Sequence, residues 1–478
     1  MPAEIRFGTD GWRGVVADDF TFANVRRVTQ AIADHLHAKG RGGLAVVGYD
    51  CRFGSEFFAE DVARVFAGNG IETLVFDRPS PTQVASWTVI DRRAAGAVAI
   101  TASHNPYMFN GVKFKPETGS SAPREVVQDF EQRVARLRDE DVRSAENSAA
   151  RYDPRRPYFE QVNKMVDVGA IEAAGLSILH ECMHGSGYSY IQELLTGDGK
   201  GQTKVSELHS NRNPFFGGVN PEPIERNLQE AIATTRQGGY DLCIATDGDA
   251  DRVGILDERG SFLTTLQVYA LLMLYLFELR GWRGPVVKTV NMTSMADELA
   301  RQYGVDVYEV PVGFPFVAPK MMEVDAVLGG EESGGYGIRG HIPERDGILA
   351  GLFFADMLVK WQKPLSEIVK MLESKVGEHA YQRRDLHLPR DTYDRDRQVI
   401  LKTLKEREPK EIAGQQVVKV RQDDGVKFYL QDGSWVLLRT SGTEPLIRIY
   451  SEASSQDDVV KRLDTIQQLI GVGGEGGG

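Results

Sequence analysis

Short apolar runs punctuate the first three quarters of the chain, separated by stretches whose apolar positions fall at helical spacing. LAVVG (Leu44 to Gly48), TLVF (Thr73 to Phe76) and AVAIT (Ala97 to Thr101) are continuous, as strands read when both faces are covered. This rhythm predicts strands and crossover helices in a mostly parallel sheet. LSILH (Leu176 to His180) and LCIAT (Leu242 to Thr246) mark a second unit, and VVKTV (Val286 to Val290), VDVYEV (Val305 to Val310) and AVLGG (Ala326 to Gly330) a third. From about Glu378 the pattern changes: QVVKV, KFYL, WVLLR and LIRIY are close-spaced alternating runs, with turns at Asp423 to Gly425 and Asp432 to Ser434. A charged stretch from Asp139 to Pro157 and a turn signal at Asp257 to Gly260 suggest divisions. The expected fold is three similar α/β domains with mixed, mostly parallel sheets, at 1–150, 151–257 and 258–375. A smaller α+β domain with an antiparallel sheet follows at 376–478, and its closing GVGGEGGG has nothing to bury.

The length of 478 residues agrees with roughly three or four domains. With 41% hydrophobic and 26% charged residues the chain is expected to form proper cores. A net charge of -12 without a basic patch opposes nucleic-acid binding, although a few local arginines can still hold a small anion. Val268 to Phe277 is about half the length needed to cross a bilayer and ends at Glu278, so it reads as a buried helix and no membrane role is expected. The opening MPAEIRFGTD lacks a signal-peptide pattern, and Cys51, Cys182 and Cys243 are widely spaced after apolar runs. Both features suggest buried, reduced thiols in a cytoplasmic protein.

Candidate chemistry lies in the loops after the apolar runs. LCIATDGDADRVG places Asp247, Asp249 and Asp251 on alternate residues after a strand. Three carboxylates turned to one point repel unless a cation lies between them, and an all-oxygen set favours Mg²⁺ over Zn²⁺. Asp247, Asp249, Asp251 and Glu258 also occupy the ligand places of a calcium loop, but Arg252 stands where that loop needs glycine and a strand precedes it. TASHNPYMFNGVKF exposes Ser103 at a strand's carboxyl end, where α/β sheets bind ligands. Its neighbour His104 diverges from it, which gives little support to a hydrolytic triad; a capped Asn105-Pro106 turn is the plain alternative. GGEESGGYG sets Glu331 and Ser333 beside glycines, suited to sugar hydroxyls or simply a hinge. RTSGTEP offers Arg439, Ser441, Gly442 and Thr443, with Arg448 beyond, as a cradle for a phosphate dianion. FGTDGWRG adds Asp10 and Arg13 in a glycine-rich turn. Together these loops supply a nucleophile, a metal, a sugar grip and a second phosphate grip, the parts of phosphoryl transfer.

Over essentially its whole length the chain resembles the α-D-phosphohexomutase family, which includes phosphoglucomutases, phosphomannomutases and phosphoglucosamine mutases. TASHNP is similar to the family's phosphoserine loop, DGDADR to its metal loop, GEESGG to its sugar loop and RTSGTEP to its phosphate loop, in that order. The resemblance implies four domains around a central cleft, Ser103 phosphorylated at rest, and Mg²⁺ held by that phosphate with Asp247, Asp249 and Asp251. Phosphoserine would donate to a sugar monophosphate, and the resulting 1,6-bisphosphate, also the expected activator as glucose 1,6-bisphosphate or its hexose counterpart, would turn over and return its other phosphate. Arg13, Lys113 and His104 would line the approach and assist proton transfer, and Arg252 would stay near the metal. Glu331 and Ser333 would hold ring hydroxyls, while Arg439, Ser441, Gly442 and Thr443, helped by Arg448, would hold the idle phosphate.

Two positions depart from the family pattern. Gly335 stands where some members carry a histidine, and Pro315 follows Gly313-Phe314 where relatives often have lysine. Proline offers neither charge nor donor, which weakens the substrate contact expected around Gly313. Glucose and mannose phosphates are the expected substrates, with phosphoglucosamine mutase as an alternative. A sugar-phosphate phosphatase and a silent sugar-phosphate-binding protein complete the set. The chain is expected to act as a monomer or homodimer, with a hinge near Glu373 to Glu378 that lets a bisphosphate reorient.

Overall fold

The computed structural model describes residues 5–8, 10–146, 149–197, 199, 201–440 and 445–471. These residues form four sheets, one after another along the chain. The first has six strands in the order Trp12–Val15, Phe109–Pro116, Gly96–Ile100, Leu44–Tyr49, Glu72–Phe76 and Ala150–Tyr152. Its middle is parallel, as the continuous apolar runs predict, but Gly96–Ile100 and Phe109–Pro116 pair antiparallel. The short strand Ala150–Tyr152 lies inside the charged stretch and pairs with Glu72–Phe76.

The second and third sheets repeat that plan. Leu242–Thr246 runs parallel to Ser177–Glu181 and antiparallel to Val253–Leu256. Leu328–Glu331 runs parallel to Val286–Thr289 and antiparallel to Gly335–Ile338. The fourth sheet is antiparallel throughout, in the order Ala380–His387, Leu446–Ala453, Trp435–Thr440, Val426–Leu430, Gln415–Arg421, Glu411–Ile412. The architecture is therefore three mixed α/β units and an antiparallel C-terminal α+β unit.

One apolar core runs through the first three sheets, gathering Phe20, Val47 and Ile100 with Tyr190, Ile244, Leu272, Tyr336 and Phe353. The apolar helix Thr265–Glu278 is buried from Leu266 through Phe277 except at Gln267, and Tyr269 satisfies its hydroxyl by donating to the Val287 carbonyl at 2.9 Å. Its start is fixed by a reciprocal cap, in which the Gln267 N–H donates to Thr264 Oγ1 and the Thr264 N–H to Gln267 Oε1. The apolar helix Gly347–Trp361 approaches the second sheet through Gly351, where a Cβ would meet Ile244 at 2.5 Å. No helix among the described residues is long and apolar enough to cross a membrane. Cys51, Cys182 and Cys243 are buried free thiols.

The last sheet has a core of its own, around Leu404, Phe428, Ile449 and Leu463. It joins the third unit through a small apolar patch that includes Val290 and Trp435, and through buried polar contacts. Glu452 accepts hydrogen bonds from the Ser294 N–H at 2.7 Å and hydroxyl at 2.6 Å, and from Trp435 Nε1 at 2.8 Å. The connection passes through Gly377, which ends the helix Leu365–Val376 at a φ of 82°.

Burial alone would push the Glu452 carboxyl up, but its bonds to His379 and Ser294 hold it down at about 2, against 4.5 for an ordinary glutamate. A carboxyl depressed by folding stabilises fully above its unfolded value and loses that contribution as pH falls through its folded value. Glu452→Gln is therefore expected to destabilise the C-terminal unit by on the order of 3 kcal/mol at pH 7. The deficit relative to the parent should shrink between about pH 4.5 and pH 2, which denaturant titrations followed by Trp435 fluorescence will measure.

Candidate active site

Each of the first three sheets places its candidate loop at the turn of its antiparallel strand pair. Ser103 lies between Gly96–Ile100 and Phe109–Pro116, the aspartates between Leu242–Thr246 and Val253–Leu256, and Ser333 between Leu328–Glu331 and Gly335–Ile338. In the fourth sheet the strands Trp435–Thr440 and Leu446–Ala453 pair antiparallel around positions 441–444, which lie outside the described residues. Ser441, Gly442 and Thr443 belong to that segment.

Ser103, expected to be exposed, is fully buried because the aspartate loop packs against it at Gly248; its φ is 51°, and its N–H donates to Thr101 Oγ1 at 2.9 Å. Its hydroxyl donates to Asp247 Oδ2 at 2.8 Å, across 144 positions of chain. The serine turn is held by Arg52, whose guanidinium donates to the carbonyls of Ser103 and Asn105 at 2.6 Å, of Pro106 at 2.9 Å and of Phe109 at 3.0 Å. Arg52 is itself buried, paired with Asp50 at 3.2 Å and stacked on the Phe216 ring. Arg13 donates to Asn105 Oδ1 in the same turn. His104 is half-buried with Nδ1 3.5 Å from the serine oxygen; burial, then Arg252 and Arg13, hold its pKa well below the ordinary value.

Asp247, Asp249 and Asp251 are completely buried and offer one oxygen each within 4.8 Å of one another. Lys113 Nζ reaches Oδ2 of Asp249 at 2.7 Å and of Asp251 at 2.9 Å, and Asp10 at 3.0 Å. Arg345 pairs with Asp251 at 2.8 Å and also with Asp10, while Arg252 lies 3.8 Å from Asp251. Thr82 and Gln83, at the start of the helix Thr82–Arg92, close the other side: Thr82 Oγ1 donates to Asp249 Oδ2 at 2.6 Å and Gln83 to the Ala250 carbonyl at 2.8 Å.

The charges are unevenly shared. Burial would raise Asp249, but Lys113 and Thr82 hold its pKa far below the ordinary carboxylate range. Asp247 is pushed well above that range, first by burial and then by Asp249 and Asp251. Oδ1 of Asp249 and Oδ1 of Asp251 are buried without a hydrogen-bond partner. Lys113, Arg345 and Arg252 leave these oxygens without hydrogen bonds: a carboxyl that resists ionisation lies beside two orphaned carboxylate oxygens, so the trio can take a divalent cation next to the serine oxygen.

Four family profiles match the chain in order, each described as phosphoglucomutase/phosphomannomutase: alpha/beta/alpha domain I over residues 4–141, domain II over 156–260, domain III over 266–376 and the C-terminal domain over 398–466. A protein of Methanothermobacter thermautotrophicus, provisionally named a phosphoglucosamine mutase, is 31% identical, with 94% of each chain covered. The chain belongs to the phosphoglucomutase/phosphomannomutase family. A phosphoglucomutase/phosphomannomutase of Thermococcus kodakarensis is 29% identical over 97% of this chain and 98% of its own. A crystal structure from Thermus thermophilus, provisionally named a phosphomannomutase, superposes with a TM-score of 0.87 at 36% identity, covering 98% of this chain and all of that one. The protein is thus a phosphohexomutase-type enzyme, an intramolecular phosphotransferase.

The loop that carries Glu331 and Ser333 is built around one arginine. Glu331 Oε1 accepts from Ser333 Oγ at 2.7 Å and from Arg345 Nη1 at 2.8 Å. Gly335 makes room for that arginine, since a Cβ would stand 2.2 Å from Arg345 Cδ; a histidine there would have to displace it. Pro315 is the second residue of the helix Phe314–Val324, where proline fits because first-turn N–H groups have no intrahelical partner. Gly313 caps this helix at a φ of 125°, and the preceding Val312 N–H donates to Asp424 Oδ2 at 2.7 Å. The other oxygen of Asp424 accepts from Arg439 Nε at 2.9 Å, tying the strand Trp435–Thr440 to the loop before Gly313. Arg448, opposite Arg439 in the strand pair, lies 4.0 Å from Asp385.

The serine and aspartate loops touch at Gly248, where an added Cβ would fall 2.4 Å from the Ser103 carbonyl oxygen. Gly248→Ala should separate the two loops while leaving the sheets intact. Mutase activity is expected to fall by about tenfold or more, a barrier increase of about 1.4 kcal/mol, with an unchanged circular dichroism spectrum.

Proposed function

We propose that the protein interconverts hexose 1-phosphates and hexose 6-phosphates, with glucose and mannose as the sugars, through phosphorylated Ser103 and a hexose 1,6-bisphosphate. The observation that carries this reading is the hydrogen bond from Ser103 Oγ to Asp247, which joins the nucleophile to the buried aspartate trio. Mg²⁺ is the ion of choice for three carboxylate oxygens, and when bound it would offset negative charge on the phosphoryl group in transfer. Asp247, Asp249 and Asp251 would hold it.

The chain's own groups account for the remainder. In the first transfer the free hydroxyl of the sugar phosphate forms a bond to phosphorus, the bond to Ser103 Oγ breaks, and the hydroxyl proton passes by way of a nearby base to the departing Ser103 oxygen. His104, neutral and 3.5 Å from the serine oxygen, would serve as that base. The second transfer reverses these steps with the bisphosphate turned end for end, restoring the phosphoserine, so no phosphate is consumed. Arg13 and Lys113 lie about the serine and aspartate loops as fixed positive charge, and Arg252 flanks the trio. Glu331 and Ser333 offer a carboxylate and a hydroxyl to the sugar ring. Arg439 with Ser441, Gly442, Thr443 and Arg448 would take the idle phosphate, and Gly313 would lie along the same substrate path. The buried free thiols suit a reducing compartment such as the cytoplasm.

Glucosamine phosphate is a second reading, favoured by the name of the 31% identical relative. The decisive assay supplies glucose, mannose or glucosamine 1-phosphate with Mg²⁺ and a trace of the matching 1,6-bisphosphate, and follows both the 6-phosphate and free phosphate. Production of the 6-phosphate without free phosphate is expected, strongest for glucose or mannose. Ser103→Ala should abolish it, as should chelation, with activity returning on addition of Mg²⁺. Release of free phosphate as the main product would replace the mutase with a phosphatase.

A further inference from the structure

Beneath the aspartate loop, the second unit carries a separate donor set of different chemistry: His180, Cys182 and Glu207. His180 and Glu207 face each other as Cα partners on the parallel strands Ser177–Glu181 and Lys204–Leu208, and Cys182 follows His180 at the end of the first. His180 Nδ1 is 3.5 Å from Cys182 Sγ and 3.4 Å from Glu207 Oε1. His180 and Cys182 are wholly buried, while the Glu207 side chain is 10% exposed.

We propose that this triad is a second metal site, binding a zinc-class divalent cation through His180 Nδ1, Cys182 Sγ and Glu207. Three observations support it. Donors about 2.0–2.3 Å from a tetrahedral zinc ion lie about 3.3–3.7 Å from one another, and the two spacings around Nδ1 fall within that interval. The other ring nitrogen, Nε2, lies 3.1 Å from Thr246 Oγ1, a partner that leaves Nδ1 directed at the sulfur and the carboxylate. Thr246 is in turn confined by Gly187, where a Cβ would approach Oγ1 to 2.7 Å. Finally, Glu207 Oε1 is oriented by the Ser189 N–H at 2.6 Å. Nitrogen, sulfur and oxygen donors together select zinc over magnesium, the reverse of the all-oxygen trio above. Coordination exchanges the Cys182 thiol proton for the ion and releases it to solvent.

The placement suggests a structural use. An ion here would pin two parallel strands together, and Thr246 is the residue before Asp247. The turn after Cys182 also supports the aspartate loop, because the Ser186 N–H donates to the Gly248 carbonyl at 3.0 Å and a Cβ on Gly185 would stand 2.6 Å from the Asp247 backbone carbonyl oxygen. Zinc would thus stiffen the floor on which the magnesium loop rests.

Cobalt(II) tests the site, because a thiolate ligand gives it a charge-transfer absorption that carboxylate ligands do not. The full-length protein, stripped of metal, is titrated with Co²⁺ and then with Zn²⁺. A thiolate band that saturates at one equivalent and is bleached by one equivalent of Zn²⁺ is expected. The band should be lost in Cys182→Ser, which retains Cys51 and Cys243, and kept in Asp249→Asn, which separates it from the aspartate trio. No thiolate band in the unaltered protein would overturn the proposal whatever the variants do, leaving a hydrogen-bonded thiol, imidazole and carboxylate; a band that persists in Cys182→Ser would overturn it equally.

Discussion

Everything in the active site depends on burying three like charges at one point. Asp247, Asp249 and Asp251 have no exposed surface, and carboxylates that close repel by several kcal/mol unless cations intervene. Lys113 and Arg345 supply two positive charges, but they act from one side, on Asp249, Asp251 and Asp10. Asp247 is held by neutral donors instead, the Ser103 hydroxyl at 2.8 Å and the Arg252 backbone N–H at 3.1 Å. That asymmetry shapes the candidate site: the carboxyl with least compensation, next to two oxygens without hydrogen bonds, lies against the Ser103 hydroxyl. The arrangement would be a folding liability in a protein that bound no cation.

The repeated antiparallel pairs explain how distant segments converge. A purely parallel sheet returns through a helix and leaves its loops far apart along one edge. Here each of the first three sheets adds a strand that doubles straight back, so the loop becomes a tight, well-anchored turn. Close approach then falls to glycine: Gly248 against the serine loop, Gly335 against Arg345, Gly347 against the Arg252 carbonyl. Backbones meet at distances no side chain would permit, which gives small loops from separate units a common geometry.

The strand runs, the buried helix, the serine loop and the aspartate loop were all legible in the sequence, because each is local: a continuous apolar run, then a turn rich in glycine and polar residues. The returning strands were harder to read. VGIL and GYGI are four residues long and interrupted by glycine, too short for any period to show. Ala150–Tyr152 was hidden by charged neighbours. Arg52, Arg345 and Thr82 carried no local signal at all, since an arginine bonded to four backbone carbonyls resembles a surface arginine until the chain folds around it. Arg345 in HIPERDG could have been suspected only from its neighbour Asp346, whose carboxylate caps the next helix by accepting the Leu349 N–H at 2.9 Å. Gly335 looked like a lost histidine and proves to be the space that Arg345 occupies.

The boundary between the third unit and the fourth differs in kind from the others. The first three share one apolar core, so separating them would expose a large hydrophobic area at roughly 25 cal/mol per Å². The fourth has its own core and meets the third mainly through charged groups: Lys427 and Arg421 on Glu309, Asp424 between Val312 and Arg439, and Glu452 under Ser294. Polar partners of this kind are exchanged for water when the seam parts, a compensation that the shared apolar core lacks. Under the proposed function, a bisphosphate that turns over would need one wall to yield while the serine and aspartate loops stay fixed. The polar seam, with Gly377 in the connecting segment, would be that wall, since the serine and aspartate loops lie in units that share one core.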